Sequence, residues 1–203
     1  MDRKRLWRTI RLNLYLKKGK KAKYIRRKKI FANFGKGSGY ALRTIPLYPE
    51  LISIGNYVRI APKVTFVTHD VVNAIWNSDP NFPGHGSYRE YMGCIQIDDN
   101  VFVGVGVTIM ANVHIGSNVV IGADSLVTKD LPGGYVYAGV PAKPICTIEE
   151  FAAKREAGIR YPEGFTRSGD SIGPDFAKWL WDDFRRQRNE KQADPDNKDH
   201  ENK

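Results

Sequence analysis

Aliphatic side chains recur every sixth residue through the middle of the chain. Written in sixes from Ile97, this block reads IDDNVF, VGVGVT, IMANVH, IGSNVV, IGADSL and VTKDLP. The first position is aliphatic every time, at Ile97, Val103, Ile109, Ile115, Ile121 and Val127. The fifth position is Val101, Val107, Val113, Val119, Ser125 and Leu131, and the second position favours glycine, at Gly104, Gly116 and Gly122. Since Ile, Leu and Val are together roughly a fifth to a quarter of an average chain, chance gives such a run about once in a few thousand or fewer.

Ordinary half-buried strands would also alternate apolar and polar residues. Here the alternation is interrupted at every third odd position, by Asp99, Ala111, Ser117 and Lys129, and residues 97–132 contain no Asn-Gly, Asp-Gly or Gly-Gly hairpin signal. A period of six instead predicts a solenoid of short strands, each turning a corner and stacking on the coil before it. The aliphatic residues then fill a narrow core, and the small second-position residues permit tight corners.

The same sextets recur upstream, with Ile54, Ile60 and Phe66 in the first position. We therefore predict an all-β domain over residues 32–145, interrupted by a long insertion at residues 70–92. A loop of this length within a compact fold is usually functional or disordered. The tyrosines and Trp76 of the insertion favour a packed lid.

The two ends of the chain have a different character. Residues 1–31 form a basic arm in which Leu6, Ile10 and Leu14 have helical spacing, with a break predicted at Gly19. Residues 146–188 are predicted as a helical extension, and residues 189–203 as a disordered polar tail. Four residues of that extension recur at helical spacing and predict a docking face: Phe176, Trp179, Leu180 and Phe184.

Composition narrows the possible classes. The chain has 203 residues with a formal charge of +10, but residues 1–30 alone carry +13, which leaves the remainder at −3. Two cysteines, Cys94 and Cys146, argue against a disulfide scaffold and a cysteine-rich zinc module. The chain has no apolar run long enough to cross a membrane and no secretory signal pattern, so we expect a cytoplasmic protein.

The basic arm has three interpretations. Fourteen cations in thirty residues could bind nucleic acid, although no nucleic-acid-binding motif accompanies them. Residues 2–30 could instead lie at an anionic membrane surface, with Leu6, Trp7, Ile10 and Leu14 entering the interface. The arm could also pack against a neighbouring subunit. The mixture of apolar and basic residues favours the membrane surface or the neighbouring subunit over nucleic acid. At a membrane, the protein would be peripheral to the inner face.

The sextets resemble those of the hexapeptide-repeat acyltransferases. The segment GSNVVIGADSLVTKDLPGGYVYAGVPAKPI, residues 116–145, is similar to the end of the maltose, galactoside and xenobiotic acetyltransferases. LISIGNYVRIAPKVTFVTHDV and YMGCIQIDDNVFVG resemble acetyltransferases of bacterial capsule and surface-polysaccharide clusters. The resemblance implies a left-handed parallel β-helix, acetyl-CoA as co-substrate, and a homotrimer with its sites between subunits.

His69, in Thr68-His69-Asp70, is the candidate catalytic residue because it stands at the mouth of the insertion. A histidine there suits a general base, although a structural or surface histidine is the alternative. The resemblance implies that it deprotonates an acceptor hydroxyl, and Asp70 could orient its imidazole. Trp76, His85 and Tyr91 of the insertion are candidate acceptor contacts. No histidine pair has the spacing of a zinc site, so we expect no metal.

The resemblance also carries over a donor site for acetyl-CoA. Its matched positions are Val105, Ala123, Thr128, Lys129 and Lys143. The lysines could meet the anionic phosphates of CoA, although Lys129 could equally be a solvated corner residue. Cys146 stands where these enzymes often have arginine, which leaves one phosphate contact in doubt.

Three functions are compatible with these residues. The first is an O-acetyltransferase that acts on a sugar hydroxyl of a bacterial surface polysaccharide or its precursor. The second is N-acylation of an amino sugar, or acetylation of a small antibiotic. The third is a β-helix scaffold without catalytic activity. The sextets, Thr68-His69-Asp70 and the Thr128-Lys129 pair favour the first.

Overall fold

A computed structural model describes residues 3–14, 20–158, 161–162, 164 and 171–193. Its helices are α1 Arg3–Leu14, α2 Lys20–Arg27, α3 Val72–Ser78, α4 Ile148–Glu156 and α5 Pro174–Ala193, with a 3₁₀ turn at Pro49–Leu51. None of the helices in the described part of the chain combines the length and the apolar character that crossing a membrane requires. The predicted break at Gly19 lies outside the described residues.

The strands are short and number fifteen in the described residues. In chain order they are β1 Asn33–Phe34, β2 Gly39–Tyr40, β3 Ile52–Ile54, β4 Arg59–Ile60, β5 Thr65–Phe66, β6 His69–Asp70, β7 Tyr91–Met92, β8 Ile95–Ile97, β9 Val101–Val103, β10 Thr108–Ile109, β11 Val113–Ile115, β12 Val119–Ile121, β13 Leu126–Val127, β14 Tyr135–Ala138 and β15 Lys143–Thr147.

Three sheets enclose a single core, and together they form a parallel β-helix. The first sheet has the order β1-β3-β8-β11, the second β2-β4-β9-β12-β14-β15, and the third β5-β10-β13. The pairing is parallel except between β14 and β15. Each coil contributes one strand to each sheet, so Val101 lies beside Val119, one coil further along. The predicted solenoid is confirmed.

The predicted core positions are buried. All six first-position residues are at most 1 % exposed, and the fifth-position residues, including Ser125, are buried with them. Each buried aliphatic side chain contributes about 1.5–3 kcal/mol relative to an exposed one. The coils at residues 95–109 and 113–127 are complete, a third occupies residues 52–66, and β1 and β2 add a partial coil that the sextets did not predict.

The small second-position residues were predicted to permit the tight corners, but the structure gives them a different role. The second-position glycines are needed because stacked corners approach closely: a Cβ at Gly104 would lie 2.7 Å from the Ala123 nitrogen. The left-handed backbone that turns the chain occurs two residues later, at the fourth position. Its members in the coils are Tyr57, Lys63, Asn100, Gly106, Asn112, Asn118 and Asp124, all with φ between 55° and 74°. Asn and Asp tolerate this conformation better than other residues with side chains.

Polar side chains also join successive coils at the corners. The Asp99 carboxylate accepts hydrogen bonds from the backbone nitrogen of Asn56 at 2.7 Å and from its amide at 3.1 and 3.2 Å. The Asn100 side-chain amide donates to Oδ1 of Asn118 at 3.3 Å, one coil further along. The corners are therefore stabilised by hydrogen bonds along the helix axis as well as by close contact.

Both ends of the β-helix are covered. At the start, α2 packs against β1 and β2 and buries Tyr24 and Ile25. At the other end, β15 runs antiparallel to β14 and leads into α4. Strand β15 continues to Thr147, so the structure places no boundary at the predicted position after residue 145. Covering terminal strands in this way protects their unpaired backbone groups.

The described residues that follow Glu156 belong to a second compact unit. Within it, α5 carries Phe176 and Trp179, whose rings both contact Tyr161, at centroid distances of 5.2 and 6.0 Å. Helix α5 ends at Ala193, five residues beyond the predicted limit at residue 188. The remainder of the predicted tail, residues 194–203, lies outside the described residues.

Replacing Asp99 by Asn should make the stability of the β-helix less dependent on pH. Hydrogen bonds from Asn56 hold the pKa of Asp99 below its ordinary range. A carboxylate with a lowered pKa stabilises the fold fully above about pH 4, and this contribution is lost as the pH falls through the folded-state pKa. The difference in melting temperature between the two proteins should therefore be largest at neutral pH and disappear at low pH.

Thermal unfolding between pH 2 and pH 7 measures this difference. Asp79→Asn is the control, because Asp79 is an exposed carboxylate that bonds only within its own loop, to the backbone nitrogen of Asn81. A pH-independent difference for Asp99→Asn would contradict the proposed origin of the stabilisation.

Candidate active site

The insertion at residues 70–92 leaves and rejoins the β-helix at one corner. The chain leaves the third sheet after β5, where the Val67 nitrogen donates to the Ile109 carbonyl at 2.9 Å. It returns where the Gly93 nitrogen donates to the Thr68 carbonyl at 2.8 Å. Strands β6 and β7 pair antiparallel at the base of the insertion, which places His69 opposite Met92. The insertion therefore projects from the core as a hairpin-like excursion with His69 at its base.

The insertion is folded, as its aromatic content predicted. Trp76 of α3 stacks on Phe82 at 5.8 Å, and the Tyr88 ring meets both of them edge-on. The Asn77 amide donates to the Tyr88 carbonyl at 2.8 Å and accepts from the Gly86 nitrogen at 3.0 Å. These contacts hold the insertion together through a partly exposed aromatic cluster.

His69 is half-buried and meets an aromatic ring that the sequence analysis missed. Its imidazole lies 4.9 Å from the Tyr48 ring, at an interplanar angle of 76°. Its Nδ1 atom is buried and has no hydrogen-bond partner among the described residues. Next to it, the Thr68 hydroxyl donates to the Leu47 carbonyl at 3.2 Å. The segment between β2 and β3 thus packs against the histidine.

Tyr48 also links this segment to the insertion. Its hydroxyl donates to Glu90 Oε1 at 3.3 Å, just before β7. The negative charge of Glu90 raises the pKa of Tyr48, and burial and the hydrogen bond to Glu90 act in the same direction. Tyr48 and Glu90 lie outside the sextets, so no repeat position marks them. The only indication of such residues in the sequence was the interval before Ile52, where the sextet repeat is absent.

The Asp70 side chain is directed away from His69, whose imidazole it was predicted to orient. Its carboxylate accepts a hydrogen bond from the Val72 nitrogen at 3.1 Å and so caps the start of α3. Neighbouring strand residues point to opposite faces, which explains why the two side chains diverge. Within the described part of the chain, the Asp70 carboxylate makes no contact with the His69 ring. An orienting role for Asp70 remains a prediction without a contact to support it.

The three candidate acceptor residues occupy different parts of the insertion. Trp76 belongs to the aromatic cluster, and His85 lies in an exposed turn whose backbone bonds to Phe82. The Tyr91 hydroxyl accepts a hydrogen bond from the Asn112 amide at 2.6 Å, which holds the base of the insertion to a corner of the β-helix. Tyr91 is the candidate nearest to His69 along the paired strands β6 and β7.

The donor-site candidates border the third sheet. Val105 and Ala123 precede β10 and β13 and are stacked at one corner, where the Asp124 nitrogen donates to the Val105 carbonyl at 2.8 Å. Thr128 and Lys129 follow β13 at the opposite edge, and all four side chains are partly or fully exposed. Lys143 begins β15 beside the end of this sheet, where the Ala142 nitrogen bonds to Leu126 at 2.8 Å.

His69 and the Thr128-Lys129 pair lie beyond the same edge of the third sheet. His69 follows β5, and Thr128 follows β13, two strands away in a parallel sheet. Since neighbouring strands are spaced about 4.8 Å apart, the two positions are separated by about 10 Å along the axis. The structure thereby gathers the candidate base and the candidate donor residues around a single face of the β-helix.

His114 and Cys146 lie outside this face of the β-helix. His114 is exposed on the first sheet, and its Nε2 contacts Asp98 Oδ2 at 2.8 Å. Cys146 is half-buried in β15, opposite Val136. In the parts of the chain that the structure describes, no cluster of three His, Cys, Asp or Glu residues could hold a metal ion.

Comparison with known families agrees with this geometry. The model of the bacterial transferase hexapeptide (six repeats) family matches residues 94–129, which span β8 to β13. This part of the chain is similar to the hexapeptide-repeat transferases. The match covers the two complete coils that border the candidate site.

Proteins similar to this chain include sugar acetyltransferases. The galactoside O-acetyltransferase of Lactococcus lactis is 38 % identical over 120 residues, which cover 55 % of this chain and 54 % of that protein. A maltose O-acetyltransferase from Clostridium difficile has a solved structure that is 27 % identical, with a TM-score of 0.50, over 70 % of this chain and 83 % of that one. The chain spans about half the length of the curated relatives it matches.

A third comparison concerns the fold. A hexapeptide-repeat acetyltransferase from Vibrio cholerae, solved with acetyl-CoA, is 20 % identical with a TM-score of 0.51, over 70 % of this chain and 84 % of that one. This likeness shows that the chain has the fold of the hexapeptide-repeat acetyltransferases, which implies a left-handed β-helix.

Replacing Glu90 by Gln should lower the pKa of Tyr48. The substitution removes the negative charge that disfavours the ionised phenol, and it keeps an oxygen that can accept the hydrogen bond. Titration of ¹³C-labelled tyrosine side chains by NMR, with Tyr48→Phe to assign the signal, measures this pKa. Glu50→Gln should lower it less, because Glu50 contributes the weakest of the named effects. An unchanged or higher pKa in the Glu90 variant would refute the contact.

Proposed function

We propose that this protein is an acetyl-CoA-dependent O-acetyltransferase that acts on a sugar hydroxyl of a bacterial surface polysaccharide or its precursor. The observation that carries the proposal is the position of His69 beyond the sheet edge that Thr128 and Lys129 also border. The sugar O-acetyltransferases among its relatives support the same reaction type. Acetyl-CoA, the donor, is made in the cytoplasm, where we place the reaction.

His69 acts as general base in the proposed reaction. It accepts the proton of the acceptor hydroxyl as the oxygen attacks the thioester carbonyl, and it returns the proton to the leaving thiolate of CoA. The acetyl carbon–sulfur bond breaks and an ester forms, so no further reactant is required. Because Nδ1 is buried, the hydroxyl would meet Nε2. Packing against Tyr48 limits rotation of the imidazole and so favours one orientation.

The acyl donor lies along the third sheet in this proposal. Lys129 and Lys143, at its edge and end, are suited to the phosphates of CoA because both ammonium groups are on exposed residues. Val105 and Ala123 line the opposite corner, where the pantetheine arm can contact exposed backbone and small side chains. Thr128 contributes a hydroxyl beside Lys129.

The acceptor lies between this sheet and the insertion. Tyr91 is closest to His69 along the paired strands, whereas Trp76 and His85 stand further out on the insertion. An aromatic surface beside polar groups suits the faces and hydroxyls of a sugar ring. We assign acceptor selection to these residues and Asp70 to the start of α3, where it shapes the insertion.

The proposed assembly is a homotrimer with each site completed by a neighbouring subunit. Apolar side chains near the third sheet support this, since Val105, Val140 and Ile145 are all exposed in a single chain. Contiguous exposed apolar residues commonly mark interaction sites. The insertion of one subunit would then face the donor groove of the next.

Replacing His69 by Ala should reduce turnover by roughly 10²–10⁴-fold, the usual contribution of a general base. Release of CoA thiol from acetyl-CoA, with galactosides, maltose and surface-polysaccharide fragments as acceptors, measures the rate. His114→Ala is the matched control, because His114 is an exposed histidine on the first sheet. Near-normal turnover in a folded His69 variant would remove the assigned role. An amide product identified by mass spectrometry would overturn O-acetylation.

Replacing Lys129 or Lys143 by Ala should weaken acetyl-CoA binding by about two- to fivefold each. An exposed ion pair is worth up to about 1 kcal/mol, which corresponds to a factor of about five. Isothermal titration calorimetry measures the affinity, and Lys36→Ala, at a corner remote from the third sheet, is the control. Unaltered affinity would remove these lysines from the donor site. The absence of any heat or thermal stabilisation with the parent protein would instead favour a scaffold.

A further inference from the structure

The outward side of α1 carries an apolar stripe, which we define as Leu6, Trp7, Ile10 and Leu14. All four side chains are exposed, Trp7 to 62 % and Leu14 to 73 % of their surface. They follow one another at helical spacing over about two turns, so they form one continuous surface. No described residue covers this surface.

The opposite side of α1 is the one that holds the helix to the protein. Leu12 is completely buried. Arg5 Nε donates to the Ile45 carbonyl at 2.9 Å, and the Asn13 amide donates to the Arg43 carbonyl at 2.8 Å. These contacts set the rotation of the helix about its axis. The packing of α1 therefore directs the stripe outward, while other residues of the helix contact the rest of the protein.

Cations flank the stripe along the helix. Lys4 and Arg11 lie on either side of Trp7 along the helix, at spacings of three and four residues, and Arg3 lies at the end of the stripe. Helix α2 adds further exposed cations: Lys20, Lys23, Arg26 and Arg27. Among the residues that the structure describes, no Asp or Glu forms an ion pair with any of these side chains.

We infer that α1 docks on an anionic membrane surface. An apolar stripe that contains tryptophan and is bordered by lysine and arginine matches a bilayer interface, where the apolar residues enter the acyl boundary and the cations meet lipid phosphates. A second copy of the chain fits less well, because two such helices would bring like charges together. Nucleic acid would use the cations but would leave Leu6, Ile10 and Leu14 exposed to water.

The inference does not depend on acetyl transfer. It adds a location to the proposed function, since a protein held at a membrane meets acceptors that are linked to lipids at a higher local concentration. Loss of membrane binding should leave the transfer of acetyl groups to a soluble acceptor unchanged. The two proposals can therefore fail separately.

Co-sedimentation of the full chain with vesicles tests the inference. Vesicles of phosphatidylcholine and phosphatidylglycerol at about 3:1 should bind the protein, vesicles of phosphatidylcholine alone should bind little, and raised salt should weaken the interaction. The double variant Trp7→Asp, Ile10→Asp should reduce the bound fraction by tenfold or more. Trp181→Asp is the matched control, because Trp181 is an equally exposed tryptophan on α5. Trp7→Phe should abolish most of the blue shift in tryptophan fluorescence that accompanies binding.

Three outcomes would overturn the inference. The first is the absence of binding to anionic vesicles by the parent protein. The second is undiminished binding by the double variant while its melting temperature and acetyl-CoA affinity are normal. The third is a change in oligomeric state of the double variant in analytical ultracentrifugation without lipid, which would assign the stripe to a second copy. With the first outcome, tight binding of a short DNA duplex that is unaffected by the double variant would assign the cations to nucleic acid.

Discussion

Every coil of this protein depends on its contact with the coil beneath it. Backbone groups that an isolated short strand would expose to water are paired along the axis, as between Gly104 and the Ile121 carbonyl at 2.9 Å. The same contact brings the corners so close that a Cβ at Gly104 or Gly116 would overlap the next coil. Because two- or three-residue strands are not stable alone, the aliphatic core and the paired corners have to form together.

This stacking also makes a rigid surface for chemistry. Corner residues of successive coils lie above one another, so Val105 and Ala123 are neighbours although eighteen residues separate them. Likewise, the carboxyl ends of β5 and β13 meet one edge, and the residues that follow them, His69 and Thr128, come to the same side of the β-helix. A groove along such a stack is straight and does not require a separate loop to shape it.

The segments that interrupt the repeat supply the residues that surround His69. The segment before β3 brings Tyr48 to the His69 ring, and the insertion brings Glu90 to the Tyr48 hydroxyl. The histidine is thus enclosed by two excursions that leave the β-helix at different corners. Helix α1 is a third addition, and its inner contacts near Ile45 give its apolar stripe an outward direction.

The sequence alone determined the fold of the repeated part. A residue at every sixth position must be aliphatic if three short strands are to close on one narrow core, and this requirement is visible at Ile97, Val103 and Ile109 without any structure. It also indicated the candidate base, because His69 stands where the sextets stop. The packing of the insertion was visible in its aromatic residues.

Only the tertiary structure decided what lies next to His69. Tyr48 and Glu90 are 21 residues away from it on either side along the chain, outside any repeat, and their meeting depends on how two irregular segments fold back. The same holds for Asp70, whose carboxylate accepts a hydrogen bond from the Val72 nitrogen at the start of α3. Periodic residues report on the core because burial repeats with the coil. Irregular segments have no period, so their contacts are set by the three-dimensional packing.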